Sequence, residues 1–213
     1  MRPRPGPEGE PPAEGRVVEA RPSASLLLLR GGDAALEVLL VRRTPKARFM
    51  GGFWVFPGGA VEPADRAGTD EDGAHRAAAV RELREEAAIE GVDPASLVAY
   101  SRWVTPETSG IRFDTRFYLA AAPGAAEPRV DGEECVDAGW FAPAAALDAY
   151  DSGGLPLVFP TLKHVEQIAP FRSAAELLEA SRGRIVEPIR PQVVGSGEQA
   201  RIVLPGEPGY VTR

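Results

Sequence analysis

The chain has 213 residues, a formal net charge of −7 and an isoelectric point of about 5.0. Hydrophobic residues make up 44% and charged residues 26%, as in an ordinary globular protein with one core. No apolar run approaches the roughly 20 residues needed to span a bilayer. Proteins that bind a polyanion usually have a basic surface. The composition therefore predicts that neither a membrane nor nucleic acid is a partner.

The two ends of the chain differ in composition from its centre. Residues 1–20 are rich in Pro, Gly and Glu and are predicted to form a disordered tail. They lack the apolar core of a signal peptide, so we expect a cytoplasmic protein. Residues 183–213 form a predicted C-terminal extension. Its apolar segments, 193–194 and 202–204, could pair as a hairpin that packs on the main domain, 21–182, or on the second subunit of a homodimer.

Strands and helices intermix within the main domain. The apolar segments 23–30 and 37–43 flank a Gly-Gly-Asp turn and predict a β-hairpin. Further strands are expected at 53–56, 97–104, 113–121 and 136–141, and short helices at 143–150, 161–168 and 173–182. This order predicts an α/β sandwich with a mixed sheet.

A longer helix is predicted over residues 74–89, after a polar loop at 60–73. Thr69, Asp70 or Asp72 could cap its N-terminus. Gly91 is expected to end it, since glycine accepts the left-handed conformation common at that position.

Three carboxylates of this helix are expected to lie together. Glu82, Glu85 and Glu86 are spaced i, i+3 and i+4, which places them on one helix face. Clustered carboxylates repel one another unless a cation lies among them, and a hard divalent cation bound to a phosphate ester suits such oxygen ligands. The turn at Gly58 and Gly59 could bring backbone close to that cation. The pattern predicts a site for Mg²⁺ or Mn²⁺.

The same segment resembles the box of the Nudix hydrolases. In that family the box runs Gly, five residues, Glu, seven residues, then Arg-Glu-apolar-x-Glu-Glu-x-Gly-apolar. Residues 81–89 match the second half, except that Ala88 stands where glycine is expected. Gly59 and Arg81 are 22 positions apart (81 − 59), against 14 in the family pattern, so eight residues are inserted. Counting back from Arg81, the position of the early glutamate falls on Gly73. Glu71, Asp72 and Glu62 stay open as candidates for its charge.

An upstream segment resembles the coenzyme A diphosphatases of this family, both the peroxisomal type and its bacterial relatives. Their signature is Leu-Leu-Thr-x-Arg-Ser, three residues, Arg, three residues, Gly, three residues and Phe-Pro-Gly-Gly. Residues 39–59 reproduce this spacing, with Val41 in place of Thr and Thr44 in place of Ser. The resemblance covers about residues 22–180. It implies a Nudix-type α/β/α sandwich that hydrolyses coenzyme A or acyl-CoA to adenosine 3′,5′-bisphosphate and a 4′-phosphopantetheine species.

The resemblance also implies metal-binding roles within the box. Glu82, Glu85 and Glu86 are expected to bind the divalent metal, with the carbonyl of Gly59 as a further ligand. Arg81 is expected to orient one of these carboxylates through a bidentate contact.

Further roles concern the water and the substrate. Glu82 or Glu134 is expected to act as the general base. Arg43 and Arg48 are expected to bind phosphate groups of a nucleotide that carries a 3′-phosphate. Phe56 is counted with the substrate-binding residues, although alternate residues of a short strand more often belong to the core.

Two other functions remain open at this stage. The first is a Nudix pyrophosphatase for ADP-ribose, dinucleotides or nucleotide sugars, because the box is shared by all enzymes for nucleoside diphosphate derivatives. The second is a non-catalytic domain that senses a nucleotide, which the presence of all three glutamates disfavours.

Three isolated residues receive no functional role from the sequence. Cys135 is interpreted as a small apolar residue on a strand, and a single cysteine excludes an internal disulfide. His75 and His164 are far apart in polar helical segments, so both are predicted to lie on the surface.

Overall fold

The computed structural model describes residues 18–33, 35–47, 49–195 and 200–211. Most of the predicted disordered tail and the whole of Arg48 lie outside these ranges. None of the helices in the described ranges is both long enough and apolar enough to cross a membrane.

Strands and helices intermix along the chain, as the sequence predicts. The described residues contain the strands β1 Arg21–Arg30, β2 Glu37–Arg43, β3 Trp54–Val55, β4 Gly58–Ala60, β5 Val98–Val104, β6 Phe113–Ala121, β7 Cys135–Phe141, β8 Pro188–Ile189, β9 Gln192–Val194 and β10 Arg201–Val203. The helices are α1 Glu71–Ala87, α2 Pro143–Asp151, α3 Phe159–Ile168 and α4 Ala174–Ser181, with single 3-10 turns at Ala64–Arg66 and Pro94–Ser96.

Eight of these strands form one mixed sheet in the order β3-β2-β1-β6-β5-β8, while β4 pairs with β1 and β7 pairs with β2. The predicted hairpin is present, because β1 and β2 are antiparallel from Leu29 opposite Val38. Strand β1 runs parallel to β6, and β5 runs parallel to β8. The prediction of a mixed α/β fold is therefore confirmed.

Helices cover both faces of this sheet. Alternate leucines of β1 point to opposite sides, so that Leu26 and Leu28 pack with α1 while Leu27 and Leu29 pack with α2, α3 and α4. Residues 23–29 of β1 are all buried. A continuous apolar run of this kind is typical of a strand covered on both faces.

Helix α1 differs from its prediction at both ends. It begins at Glu71 because the carboxylate of Asp70 accepts a hydrogen bond from Gly73 N at 2.8 Å. It ends at Ala87, and Ala88 adopts the left-handed conformation with φ of 52°. The prediction that Gly91 ends the helix is wrong, because Ala88 accepts this conformation three residues earlier.

The residues inserted before Arg81 are helical. Ten residues of α1 precede Arg81, and its first turn is tied to β6. Asp72 accepts hydrogen bonds from Tyr118 Oη at 2.8 Å and from Arg116 Nη1 at 3.2 Å. The insertion therefore lengthens α1 along the sheet.

Segments near the predicted Gly-Gly turn depart from the sequence expectation. Residues 58–60 form strand β4, which pairs with β1. Gly58 permits this close pairing, because a Cβ there would lie 2.5 Å from the carbonyl oxygen of Ala24.

Helix α3 begins two residues before its predicted start, since Pro160 is compatible with a first turn.

Both histidines contradict their predicted surface positions, at 3% exposure for His75 and 0% for His164. His75 lies on α1 with Nδ1 2.7 Å from the carbonyl oxygen of Glu71. Their neighbours in sequence are polar, but the helix faces on which the two histidines lie turn inward.

The C-terminal extension is folded onto the body of the protein where the structure describes it. Strand β8 pairs with the edge strand β5, at Arg102 opposite Pro188. Strands β9 and β10 form an antiparallel hairpin, in which Val203 is buried. The exact boundary between the domain and the extension stays a prediction.

Candidate active site

The site begins where β4 meets α1. Strand β4 lies beside β1, with Gly59 opposite Ala24. A Cβ placed on Gly59 would lie 2.2 Å from Oε1 of Glu82. A side chain at position 59 would therefore displace the carboxylate of Glu82, which occupies the space that the Cβ would need.

Glu86 is the most deeply buried carboxylate of the site, with 1% of the residue exposed. Its Oε2 accepts a hydrogen bond from Gly58 N at 2.9 Å. Its Oε1 has no hydrogen-bond partner in the described part of the chain, although Arg43 Nη1 lies 3.5 Å away. Burial raises the pKa of Glu86 to about 8, against the opposing effects of Gly58 N–H and Arg43. A buried carboxylate oxygen without a hydrogen bond is an available cation ligand.

Arg81 links the carboxylates on the exposed side of the site. Its Nη1 donates to Glu82 Oε1 at 2.9 Å and to Glu85 Oε2 at 2.7 Å, and its Nη2 donates to the carbonyl of Ala60 at 2.9 Å. Burial alone would lower the pKa of Arg81, but Asp65, Glu82 and Glu85 raise it above the ordinary value. Burial raises the pKa of Glu82, and Arg81 opposes this increase. Arg81 thus stabilises the charged carboxylates around it.

Asp65 is a site residue that the sequence reasoning missed. Its carboxylate accepts from Arg81 Nε and Nη2, both at 3.1 Å. It lies six positions after Gly59, where the family box places its early glutamate. Counting forward from the glycine would have found it, because the insertion lies between Asp65 and Arg81.

The three candidates considered for the early glutamate have other partners. Glu71 and Asp72 pair with Arg116 on β6, at 2.6 Å and 3.2 Å. Glu62 contributes only its backbone N–H, which donates to Asp65 Oδ2 at 2.8 Å. The charge beside Arg81 therefore comes from Asp65.

The predicted metal ligands are brought to one region but do not converge on one point. Glu82 and Glu86 approach the Gly58–Gly59 backbone, whereas Glu85 is half exposed and turned to Arg81. Within the described ranges, no three His, Cys, Asp or Glu side chains lie close enough to hold a metal ion. The donors at the glycine strand are oxygen atoms, which suit a hard cation such as Mg²⁺. They include Oε1 of Glu86, which has no hydrogen bond within the described residues and lies 3.5 Å from Arg43 Nη1.

Arg43 lies close to both Glu86 and Glu134. Arg43 Nη2 lies 3.7 Å from Glu134 Oε1, and Thr44 N donates to the backbone carbonyl of Glu134 at 2.9 Å. Arg43 is thus placed between two carboxylates, Glu86 and Glu134, and both it and Glu134 line the cavity described below. Arg48, the other predicted phosphate-binding arginine, lies outside the described residues.

The loop that carries Glu134 is held by one aspartate. Asp131 Oδ1 accepts from the backbone N–H groups of Glu133, Glu134 and Cys135, at 2.9, 3.1 and 3.3 Å. Cys135 follows with no solvent exposure, and burial raises the pKa of its thiol. The interpretation of Cys135 as a small buried strand residue is confirmed.

A cavity of about 360 Å³ extends from this cluster across the face of the sheet covered by α3. Gly58, Gly59 and Glu82 line one end. Five aromatic residues are among those that line the remainder, namely Phe49, Trp103, Phe113, Phe117 and Phe159. Phe56 also borders the cavity, but it is 2% exposed and packs edge-on to Phe117, so it belongs mainly to the core. A charged end and an aromatic arm suit a ligand with a phosphate group and a larger apolar or planar part.

The fold is an α/β/α sandwich in which a helix that carries glutamates packs on a glycine strand. This is the arrangement expected for the Nudix hydrolases, the class that the sequence resembles. The family model of the NUDIX domain matches residues 19–160. The chain therefore belongs to the Nudix family and is a Nudix hydrolase. A Nudix relative from Caenorhabditis elegans, nudix hydrolase 7, is 26% identical over 235 residues, which cover 92% of this chain and 77% of the relative.

Solved structures share the fold. A NUDIX hydrolase from Alicyclobacillus acidocaldarius is 27% identical, covers 80% of this chain and 100% of its own, and has a TM-score of 0.69. The NUDIX domain of Shewanella oneidensis NrtR, solved in complex with ADP ribose, is 21% identical, covers 72% of this chain and 88% of its own, and has a TM-score of 0.54. The Nudix-type sandwich is thereby confirmed.

Proposed function

We propose that this Nudix hydrolase cleaves the diphosphate bridge of coenzyme A or acyl-CoA with Mg²⁺ or Mn²⁺. The observation that carries the metal-dependent part is the buried Oε1 of Glu86, which has no hydrogen bond within the described residues. The same carboxylate contacts Gly58 and Arg43, and both of these residues line the cavity. The spacing of residues 39–59 supports coenzyme A as the substrate class. The products would be adenosine 3′,5′-bisphosphate and a 4′-phosphopantetheine species.

In this proposal the cation would be held by carboxylates of α1 and by the backbone of the glycine strand β4. Glu82, Glu85, Glu86 and the carbonyl of Gly59 are the residues that would hold it, and Glu85 is bound to Arg81 in this structure. A divalent cation held by these groups would supply positive charge to neutralise that developing on the diphosphate. Asp65 and Arg81 keep Glu82 oriented through the contacts described above.

Water attacks one phosphorus atom and the bond from that phosphorus to the bridging oxygen breaks. The proton of the water passes to a carboxylate, and the bridging oxygen leaves with the other phosphate. Glu82 and Glu134 both remain proposed bases. Glu82 lies against Gly59, whereas Glu134 is more exposed and held by Asp131 and Arg43.

The alternative substrates are ADP-ribose, dinucleotides and nucleotide sugars. The NrtR domain was solved with ADP ribose, but its identity of 21% to this chain supports the shared fold alone. A non-catalytic nucleotide sensor is the weaker alternative, because Glu82, Glu85 and Glu86 are all retained. A small-molecule nucleotide is the proposed ligand in every case, and the cytoplasmic location and the homodimer stay predictions.

A product assay separates these functions. The purified protein is incubated with Mg²⁺ or Mn²⁺ and, in separate reactions, with coenzyme A, acetyl-CoA, ADP-ribose and a diadenosine polyphosphate, and the products are identified by mass spectrometry. We expect phosphopantetheine species from the two coenzyme A substrates. Consumption of ADP-ribose with intact coenzyme A would support the alternative pyrophosphatase, and no turnover of any substrate would support the sensor.

A further inference from the structure

The end of the cavity away from the glutamates carries a second cation. Arg21, the first residue of β1, lines the cavity and is exposed. Arg43, the other arginine in the lining, is placed between Glu86 and Glu134. Arg21 makes no ion pair with any residue in the part of the chain that the structure describes. It is therefore the cavity cation whose charge is available to a ligand.

The strand register gives the separation of Arg21 from the proposed metal site. Gly59 lies opposite Ala24 on β1, and Arg21 is three residues further along the same strand. At about 3.3 Å per residue, the two backbone positions are roughly 10 Å apart. This separation is longer than a diphosphate bridge, so an anion at Arg21 would be a different group from the one at Glu82.

The residues between the two ends suit a nucleoside. The hydroxyl groups of Ser23 and Thr115 are hydrogen-bonded to each other at 2.7 Å on the cavity floor. Phe113 is the parallel partner of Arg21 in the sheet, and its ring lies 5.5 Å from that of Phe49. Along the cavity, carboxylates are thus followed by hydroxyl groups and then by an arginine beside two aromatic rings.

We infer that Arg21 binds a phosphate monoester that the substrate carries on its ribose, in addition to the diphosphate that is cleaved. This inference rests on the proposed function and names a residue that selects its substrate. A guanidinium group matches the geometry of a phosphate dianion and remains charged at any working pH. Substrates with the extra phosphate, such as coenzyme A, would be favoured over dephospho-coenzyme A and ADP-ribose.

The first test measures binding and needs no turnover. Calorimetry compares adenosine 3′,5′-bisphosphate with adenosine 5′-monophosphate, for the wild type, for Arg21→Gln and for the control Arg129→Gln, which changes an exposed arginine outside the cavity lining. We expect the bisphosphate to bind about 10- to 100-fold more tightly to the wild type and to the control. Arg21→Gln is expected to abolish this difference, and Arg21→Lys to restore part of it.

Equal affinity of the wild type for the two nucleotides, or an unchanged preference in Arg21→Gln, would overturn the inference. Adenosine 2′,5′-bisphosphate distinguishes the position of the phosphate. The wild type could bind this isomer more tightly than the 3′,5′-bisphosphate, and Arg21→Gln could abolish that preference. This result would support Arg21 as a phosphate site and widen the substrate class to ribose 2′-phosphates.

The second test separates failure of this inference from failure of the proposed function. The kcat/KM values for coenzyme A and dephospho-coenzyme A are measured with the same three proteins. Arg21→Gln is expected to lower the value for coenzyme A about 10- to 100-fold and to leave that for dephospho-coenzyme A unchanged. An equal loss on both substrates would overturn the role of Arg21 alone, whereas a wild type that cleaves neither would overturn the proposed function and this inference together.

Discussion

Glu86 and His164 are both almost completely buried, yet the structure surrounds them in opposite ways. Glu86 lies between the backbone of Gly58 and the guanidinium of Arg43. His164 lies under the cavity floor, where its ring packs 4.4 Å from that of Phe117 and its Nε2 is 2.6 Å from Ser101 Oγ. One group has partners suited to a charge, and the other has partners suited to a neutral ring.

The contrast shows how burial can serve chemistry in one place and packing in another. Burial raises the pKa of Glu86 to about 8, so its negative charge is stabilised fully only when a cation is bound beside it. Burial lowers the pKa of His164 to about 3, so the ring stays neutral at physiological pH. We therefore expect changes at Glu86 to affect activity and changes at His164 to affect stability.

The largest expected effect is on turnover in Glu86→Gln. Loss of a metal-binding carboxylate removes several kcal/mol of transition-state stabilisation, so kcat is expected to fall on the order of 10³-fold. The control is Glu90→Gln, which removes an exposed carboxylate just beyond α1 and should leave kcat unchanged. Steady-state kinetics with saturating Mg²⁺ measures both. A kcat within a factor of about three of the wild type would remove Glu86 from the mechanism.

Glu86 also gives the wild type a predicted pH dependence of stability that the same variant should lack. Because the pKa of Glu86 rises from 4.5 in the unfolded chain to about 8 in the folded metal-free protein, its stabilising contribution is complete below pH 4.5 and is lost as pH rises through about 8. Glu86→Gln should not show this loss. Denaturant titrations in chelator at pH 5 and pH 8 compare the two proteins, and an identical pH dependence would contradict the burial effect.

A smaller loss of activity is expected in Asp65→Asn. Asp65 contacts Arg81 through both oxygens, and Arg81 in turn holds Glu82. Residues that orient a metal ligand typically contribute 10- to 100-fold, so kcat is expected to fall by about that factor while KM changes little. Asp65→Glu restores the residue type of the family box and should recover part of the loss. Equal effects of the two variants would indicate a structural role.

A stability effect of about 2 kcal/mol is expected from protonation of His164. The unfolded-state pKa of 6.5 falls to about 3 on folding, so the contribution of the neutral ring is complete above pH 6.5 and is lost as pH falls towards 3. Between pH 7 and pH 5 this amounts to about 2 kcal/mol of unfolding free energy. The His164→Asn variant should lose this pH dependence, whatever its stability at pH 7. Urea titrations of the wild type and the variant at pH 7 and pH 5 measure this loss of stability. An equal loss in both proteins would show that His164 is not its cause.

Local patterns predicted much of the fold and part of the site. The leucines of β1 indicated a buried strand, and the spacing of Glu82 and Glu86 correctly placed them together beside a glycine segment. Asp65 was missed because the position of the early glutamate was counted back from Arg81. The inserted residues lie between Asp65 and Arg81, so that count misses Asp65 even though the two side chains are in contact. His164 was assigned to the surface from its polar neighbours, whereas its burial depends on how α3 packs across the sheet.

The smallest expected effect concerns Ala88, where the family box has glycine. Ala88 adopts φ of 52°, a conformation that costs a residue with a Cβ roughly 1 kcal/mol or more. Ala88→Gly should therefore raise the unfolding free energy by about 0.5–1 kcal/mol without altering kcat, even though it lies two residues from Glu86. The matched control, Ala77→Gly, places the same residue inside α1 and should lower the unfolding free energy by about 1 kcal/mol. Thermal and urea unfolding of both variants measure these shifts, and a destabilised Ala88→Gly would mean that the end of α1 relaxes out of the left-handed conformation in solution.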